Sequence, residues 1–421
     1  MEVVADWVGL AAPTRIGDLI ASKARGKEVF AFAYDDAWLR AHQRTLDPAL
    51  QLYPGPQYPQ SDREQFGVFL DSAPDRWGRL LMRRREAHLA RQEEREERPL
   101  LESDYLLGVH DAHRMGALRY RVLARFLDDN DELATPPWTS LRELQHASQQ
   151  LEREDASKDA EYAHWLRMLI APGGSLGGAR PKASVRDEHG HLWIAKFPSR
   201  NDQDDVGGWE IVVNELARSA GIDVPEARVE VFGTKQSNPN GHHIFLSRRF
   251  DRTNQQQRVH FTSAMTVLGR TDGASGHDGA SYLDLAEALM QFGARPNDDL
   301  EQLWRRIVFF ICVSNTDDHL RNHGFLLGDD GYQLAPAYDV NPCAHGDGLT
   351  LNISDSNNAQ SLDLAFDVAE LFRLQKARAE DIAAEVIAAA SEWRAVAKRR
   401  ALGRSQQDAM ARAFRIAANP Q

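Results

Sequence analysis

The stretch Asn315-Thr316-Asp317-Asp318-His319-Leu320-Arg321-Asn322-His323-Gly324 crowds acids, histidines, a guanidinium and amides into ten residues. A loop that only caps a helix needs one Asp or Asn, not this set. Asp317 and Asn322 stand at an Asp-x-x-x-x-Asn spacing. In phosphoryl transfer an acid so placed accepts the proton of the attacking hydroxyl, and the amide binds Mg²⁺. An acid of ordinary pKa suffices where positioning and metal ions carry most of the catalysis. Asp339, in Leu334-Ala335-Pro336-Ala337-Tyr338-Asp339-Val340, follows Asn322 by 17 residues and ends a strand-like run. Asp339 reads either as a turn residue or as a metal ligand. Mg²⁺ takes one or two protein oxygens beside phosphates and water, the number that Asn322 and Asp339 supply.

Two earlier features suit the same chemistry. In Ala171–Ala183, APGGSLGGARPKA, Gly173 and Gly178 have the Walker spacing, but Ala179 stands where that loop needs Lys. A glycine-rich loop entering a hairpin is either a bare turn or a cover for nucleotide phosphates, whose backbone N–H groups approach closely. Lys196, in Leu192-Trp193-Ile194-Ala195-Lys196-Phe197, loses hydration in an apolar strand unless an anion meets it. It reads either as an edge-strand lysine reaching water or as a phosphate-gripping lysine held by a carboxylate on the next helix. Glu210 is the candidate, sharing a face with Asn214 and Ala217, whereas Glu215 is expected in solvent. The pairs His189/His191 and His242/His243 lack complementary zinc ligands, and no Gly-x-Ser-x-Gly elbow is present.

These residues need elements to hold them. Lys182–Val185 and Leu192–Phe197 flank Asp187-Glu188-His189-Gly190 and predict a β-hairpin. Trp209–Ala220 predicts a helix closed by Gly221, and Val224–Phe232 and His243–Leu246 predict strands. After Asn297-Asp298-Asp299, the residues Leu300, Leu303, Trp304, Ile307, Val308 and Ile311 recur at helical period, a buried stripe leading straight to Asn315. Leu141–Leu169 and Ala377–Ala417 also read as helix, Val29–Phe32 as strand, and Asp128–Pro137 as a boundary or surface connection. From Ser263 onward the chain is expected to be helical.

A length of 421 residues suits two or three packed units, and 42% apolar with 27% charged residues suits a globular chain. No apolar run approaches the roughly 20 residues of a membrane span, and no basic-then-apolar secretion signal opens the chain. Two cysteines, Cys312 and Cys343, cannot build a disulfide framework and fit a reducing cytoplasm as buried packing residues. A net charge of −12 argues against a surface that clings everywhere to nucleic acid, without excluding a local basic patch. The run Arg83–Arg98 reads as a solvated helix with internal ion pairs rather than a nucleic-acid arm.

The assembled motifs resemble the HipA family, the serine/threonine-kinase toxins of bacterial type II toxin–antitoxin systems. Ala73-Pro74-Asp75-Arg76-Trp77-Gly78, Gly108-Val109-His110-Asp111 and Gly116-Ala117-Leu118 are similar to motifs of the family's accessory subdomain. Ser175–Lys182, Arg249-Phe250-Asp251-Arg252, Asn315–Asn322 and Tyr338-Asp339 are similar to those of its core. The resemblance implies an α+β, protein-kinase-like two-lobed fold. A β-rich accessory subdomain would span 1–140. A kinase N-lobe with the phosphate-covering loop and Lys strand would span 141–250, and a helical C-lobe with the catalytic and metal-binding loops 251–421.

By position, the resemblance implies that Gly177, Gly178, Ala179, Arg180, Pro181 and Lys182 cover the ATP phosphates and that Lys196 contacts them. Arg248, Arg249 and Phe250 match the segment against which adenine docks. Asp317 matches the catalytic base. His319, Arg321 and Asn322, with Tyr338, match the lining of the nucleotide site, and Asn322 and Asp339 the Mg²⁺ ligands. Ser175 matches a serine whose autophosphorylation ejects the loop and inactivates the kinase. The implied activity is that of a non-specific serine/threonine protein kinase in the cytoplasm, using ATP and Mg²⁺. Its implied substrate is a translation component such as an aminoacyl-tRNA synthetase, chiefly glutamyl-tRNA synthetase. The implied partner is a HipB-like helix-turn-helix antitoxin that makes most of the DNA contact. Two other readings stay open: a small-molecule kinase, and a co-repressor module acting mainly through the antitoxin. Asp318 and Arg321 depart from members with Gly and Lys, Arg248 replaces an acid of some members, and Gly269–Ser281 lacks a Lys-Tyr pair of relatives. Arg321 keeps the charge but offers a fork rather than a point.

Overall fold

The computed structural model describes residues 1–24, 26–42, 45–60, 63–126, 136–173, 178–232 and 241–419. The chain divides into two compact units, one of Met1–Asn201 with Asp251–Thr262 and one of Asp202–Phe250 with Ser263–Gln421.

In the first unit six antiparallel strands pair in the order β4-β3-β2-β1-β5-β6. They are β1 (Glu2–Ala5), β2 (Thr14–Ala24), β3 (Lys27–Tyr34), β4 (Pro56–Gln57), β5 (Leu118–Val122) and β6 (Arg125–Phe126). The period of two along β3 turns Phe30, Phe32 and Tyr34 inward, where the rings of Phe32 and Phe69 lie 5.4 Å apart. The helix Arg76–Gln92 begins at Asp75, whose Oδ1 accepts the Gly78 N–H at 2.8 Å. The charge run expected to form one solvated helix outlasts it. Arg95 folds back beyond the helix end to pair with the buried Glu86 at 2.6 Å, and that bond pulls the Glu86 carboxyl down to about 2.

The single helix expected over Leu141–Leu169 is two, Leu141–Leu151 and Tyr162–Gly173, separated by a turn at Ala156–Lys158. At the break Arg153 donates to Asp155 at 2.9 Å and to Asp159 at 3.3 Å. Beyond the break Asp159 Oδ1 accepts the Glu161 amide at 3.0 Å, a side-chain bond that serves a backbone N–H outside the helical pattern. Of the expected connection Asp128–Pro137, only Pro136 and Pro137 are among the described residues. The predicted hairpin is present as β7 (Lys182–Arg186) and β8 (Leu192–Lys196), with Lys182 opposite Lys196. Asp187 builds its turn, accepting from the amides of His189 and His191 and from Trp193 Nε1.

In the second unit the helix Val206–Ser219 starts three residues before the expected Trp209, because the Asp205 carboxylate caps it through the Gly208 N–H. Gly221 ends it at φ +73°, as predicted. Strands β9 (Ala227–Glu230) and β10 (Ile244–Arg248) pair antiparallel. Glu215, expected in solvent, instead pairs with Arg400 of the C-terminal helices. The helix Pro296–Val313 carries the predicted stripe, each of its six residues at most 1% exposed. Phe309, Cys312 and Val313 are equally buried, so from Leu303 onward the helix is enclosed on all sides, whereas Asn297 and Asp298 in its first turn stay exposed. The region after Ser263 is not wholly helical, since Gly324–Leu327 and Tyr332–Leu334 form an antiparallel hairpin. The helical tail is broken into Lys376–Ser391, Trp393–Arg399, Arg404–Met410 and Arg415–Ala418.

Both cysteines are free; burial pushes the Cys312 thiol up to about 12, while Cys343 is half-buried. Among the described residues no helix is long and apolar enough to cross a membrane.

Candidate functional site

The site in the second unit is built from the end of Pro296–Val313. Ser314 adopts a left-handed conformation, φ 51°, which stops the helix and turns the chain outward. Its hydroxyl donates to the Ala413 carbonyl at 2.8 Å, and its carbonyl accepts the Cys343 amide at 3.0 Å. The polar loop therefore leaves from a rigid point.

Within the loop the two adjacent acids part company. Asp317 projects outward, its side chain 86% exposed, with His319 Nε2 4.0 Å from its Oδ1. Asp318 is fully buried, accepting the Tyr282 hydroxyl and, at 2.6 Å, the Thr350 amide. Burial raises the Asp318 carboxyl to about 6, against the pull of those bonds. The Thr350 hydroxyl donates to the Thr316 carbonyl at 2.8 Å, so the Thr350 segment braces both sides of Asp317. A single helical turn at Leu320–Asn322 follows, and Asn322 Nδ2 donates to the Asp317 carbonyl at 2.8 Å. His323 is buried beside Tyr282 and Phe310, and burial pushes it down to about 3, so it is neutral.

Asp339 sits on a neighbouring arm. It does not end a strand as expected. The strand stops at Leu334, and Asp339 lies five residues on at φ 58°, a conformation costly for a non-glycine residue. Two bonds tie this arm to the loop. The Tyr338 hydroxyl donates to the Arg321 carbonyl at 2.7 Å, and the Asn341 amide donates to Asn315 Oδ1 at 3.1 Å. Asn341 Nδ2 also donates to Asp339 Oδ1 at 3.3 Å. The Phe250 ring lies 5.3 Å from that of Tyr338. The structure thus brings Phe250, Asp317, His319, Arg321, Asn322, Tyr338 and Asp339 together. Arg248 Nη1 lies 3.6 Å from Glu226, and Arg249 and Glu210 are buried in the same unit.

The remaining expected residues belong to the first unit. Gly178, Ala179, Arg180, Pro181 and Lys182 lead into β7, and Lys196 ends β8. Lys182 is buried with its ammonium 3.4 Å from Asp75 Oδ2. Ser175 and Gly177 lie outside the described residues.

Sequence reasoning missed Tyr282, Thr350, Asn341 and Asp272. Asp272 lies 3.6 Å from Arg321, which brings the glycine-rich Gly269–Ser281 segment to the loop. The Ser281–Asp284 capping box announces the helix that Tyr282 begins, but nothing local pairs its hydroxyl with an acid 36 residues away.

The donor set fits Mg²⁺. Asn322 commits its amide nitrogen to Asp317, which leaves its oxygen for a cation, and Asp339 adds a carboxylate; both are hard oxygen ligands. Among the described residues no group of three or more His, Cys, Asp or Glu gathers as a metal cage.

A polar acid-and-amide loop thus closes a helix whose C-terminal half is buried, and it is joined to a second acid on a tethered arm. The model of the HipA-like C-terminal domain matches residues 174–394, and the chain belongs to that family. Over 98% of its length it superposes on 95% of a chain from the solved complex of HipA, HipB and operator DNA of Shewanella oneidensis, with a TM-score of 0.64 and 17% identity. That likeness shows the fold, which is the α+β fold the resemblance implied. Among curated relatives, the Haemophilus influenzae protein named "Putative kinase" is 29% identical over 181 residues, 40% of this chain and 52% of that protein. The Sinorhizobium fredii protein named "Putative kinase Y4mE" is 32% identical over 154 residues, 35% of this chain and 33% of that protein. The matched segment therefore spans about half the length of the first relative and a third of the second.

Proposed function

We propose that the chain is an ATP- and Mg²⁺-dependent serine/threonine protein kinase, the toxin of a type II toxin–antitoxin system acting in the cytoplasm. The observation that carries the reading is the pairing of an outward Asp317 with Asn322 and Asp339 on two segments bonded to each other. Relatives named as kinases and a fold neighbour solved with HipB and operator DNA support it.

Asp317 accepts the proton of the attacking hydroxyl. Its backbone is held by Asn322 and flanked by the Thr350 braces, so the segment that carries the carboxylate is fixed before the substrate arrives. Asn322 and Asp339 would hold the metal, which would supply positive charge beside the transferring phosphoryl group. Phe250 offers an apolar face to the base, with Arg248 and Arg249 beside it in sequence. Glu210 orients a lysine for phosphate. In the first unit, the loop leading through Gly178, Ala179, Arg180, Pro181 and Lys182 covers phosphates, with Lys196 as their cation. Ser175 is the autophosphorylated residue. Its phosphate adds about −1.5 to −2 charge and three acceptor oxygens that compete for the same anion-binding groups. The partner is a HipB-like helix-turn-helix antitoxin that makes most of the DNA contact, and the substrate is a translation component such as glutamyl-tRNA synthetase.

Phosphoproteomics after brief expression tests this reading, wild type against Asp317→Ala. The expected result is wild-type-specific phosphate on a translation component and on Ser175. Identical phosphoproteomes contradict it, and phosphate on a metabolite pool instead of protein favours a small-molecule kinase.

A further inference from the structure

Where the glycine-rich loop enters β7, the chain is gripped from two sides within the first unit. On one side the Phe197 amide donates to the Pro181 carbonyl at 2.9 Å, extending the β7–β8 ladder. On the other side stands the first turn of the Arg76–Gln92 helix. Trp77 Nε1 donates to the Lys182 carbonyl at 3.1 Å, and the Trp77 amide donates to the Gly178 carbonyl at 3.4 Å. Asp75 divides its carboxylate: Oδ1 caps the helix through Gly78, and Oδ2 faces the Lys182 ammonium at 3.4 Å. The Asp75 and Lys182 side chains are 2% and 3% exposed, and Trp77 is as deeply buried.

Stability alone does not account for this arrangement. A buried ion pair is often replaceable by apolar side chains without loss. Its specific product is geometry. Two helix-borne groups fix the carbonyls at both ends of Gly178–Lys182, with Gly178 at φ +95° between them and the loop. A loop that covers an anion with backbone N–H groups works only if its stem holds those groups in place before the anion arrives.

We propose that Asp75 and Trp77 are positioning residues of the phosphate-covering loop: they clamp the Gly178–Lys182 stem and thereby set its affinity for a nucleoside triphosphate. Neither touches the ligand. The role rests on the kinase reading above, whereas the clamp itself is measurable without nucleotide.

The test compares full-length wild type, Trp77→Phe and Asp75→Asn. Trp77→Phe removes one donor and keeps a ring. Asp75→Asn keeps a capping acceptor and removes the charge. Two quantities are read: hydrogen exchange of the Gly178–Arg186 amides without ligand, and the KM for MgATP against kcat. Trp77→Phe is expected to speed stem exchange and raise KM about fivefold, the worth of one hydrogen bond, with kcat within about twofold. Asp75→Asn shifts both further in the same direction; if it does not fold, Trp77→Phe decides. Unchanged stem exchange overturns the clamp. Faster exchange with an unchanged KM, or a loss of kcat alone, overturns the positioning role. A wild type that neither binds nor uses ATP ends the kinase reading and this role with it, and the exchange data then still report separately whether the clamp exists.

Discussion

The Tyr338 hydroxyl donates to the carbonyl of Arg321 at 2.7 Å, joining the arm that carries Asp339 to the turn that carries Asn322. The two proposed metal donors are thereby held in one register. Tyr338→Phe removes the bond, keeps the ring beside Phe250, and leaves the Arg321 carbonyl without that donor. The Mg²⁺ concentration for half-maximal activity is expected to rise about tenfold, as for other outer-shell partners of metal ligands. Stability should fall by only about 1 kcal/mol. Magnesium titration of phosphate transfer checks the first and urea unfolding the second; an unchanged Mg²⁺ dependence contradicts the role.

Asp318 gives a pH signature. Burial raises its carboxyl to about 6 from an ordinary value of 3.8, so the folded state binds this proton more tightly than the unfolded chain. Its contribution is therefore most favourable at low pH and declines as pH rises from about 4 to about 6. The groups facing it include the Tyr282 hydroxyl and the Thr350 and Leu351 amides, with neutral His323 beside Tyr282. Asp318→Asn can serve both partners without titrating. The stability difference, variant minus wild type, should rise by roughly 2 kcal/mol between pH 4 and pH 7. Chemical unfolding at several pH values measures it, and a flat difference contradicts the burial account.

Much of this architecture was legible in local sequence. The Asp187 turn, the Gly221 cap and the Leu300–Ile311 stripe each follow from the chemistry of a few neighbouring residues, and the structure has all three. The Asp317–Asn322 spacing likewise marked the loop. Contacts distant in sequence were not legible. Glu215 looked solvated because Arg400 is far away in the chain, and nothing near Asp318 marked it as buried because Tyr282 and Thr350 reach it only in the fold. The helix break after Leu151 was missed for another reason: apolar periodicity carries no information about a side chain, such as Asp159, that bonds a backbone amide outside the helical pattern.

Gly207 shows a constraint that no spacing reveals. The helix Val206–Ser219 approaches the chain entering β10 so closely that a Cβ at Gly207 would lie 2.3 Å from the His243 carbonyl oxygen. Gly207→Ala is expected to cost about 1–3 kcal/mol despite the better helix propensity of alanine, since overpacking forces the backbone apart. Urea denaturation measures it. A neutral or stabilising change would mean that the helix shifts freely.

The central claim is that Asp317 is the base of a phosphoryl-transfer site. Purified chain incubated with labelled ATP and Mg²⁺, alone and with cell lysate, tests it most directly beside Asp317→Ala. Wild type should transfer phosphate to itself or to lysate protein, and the variant should fall by about 100-fold or more, the usual contribution of a general base. Equal labelling by both proteins, or none by either, contradicts the claim.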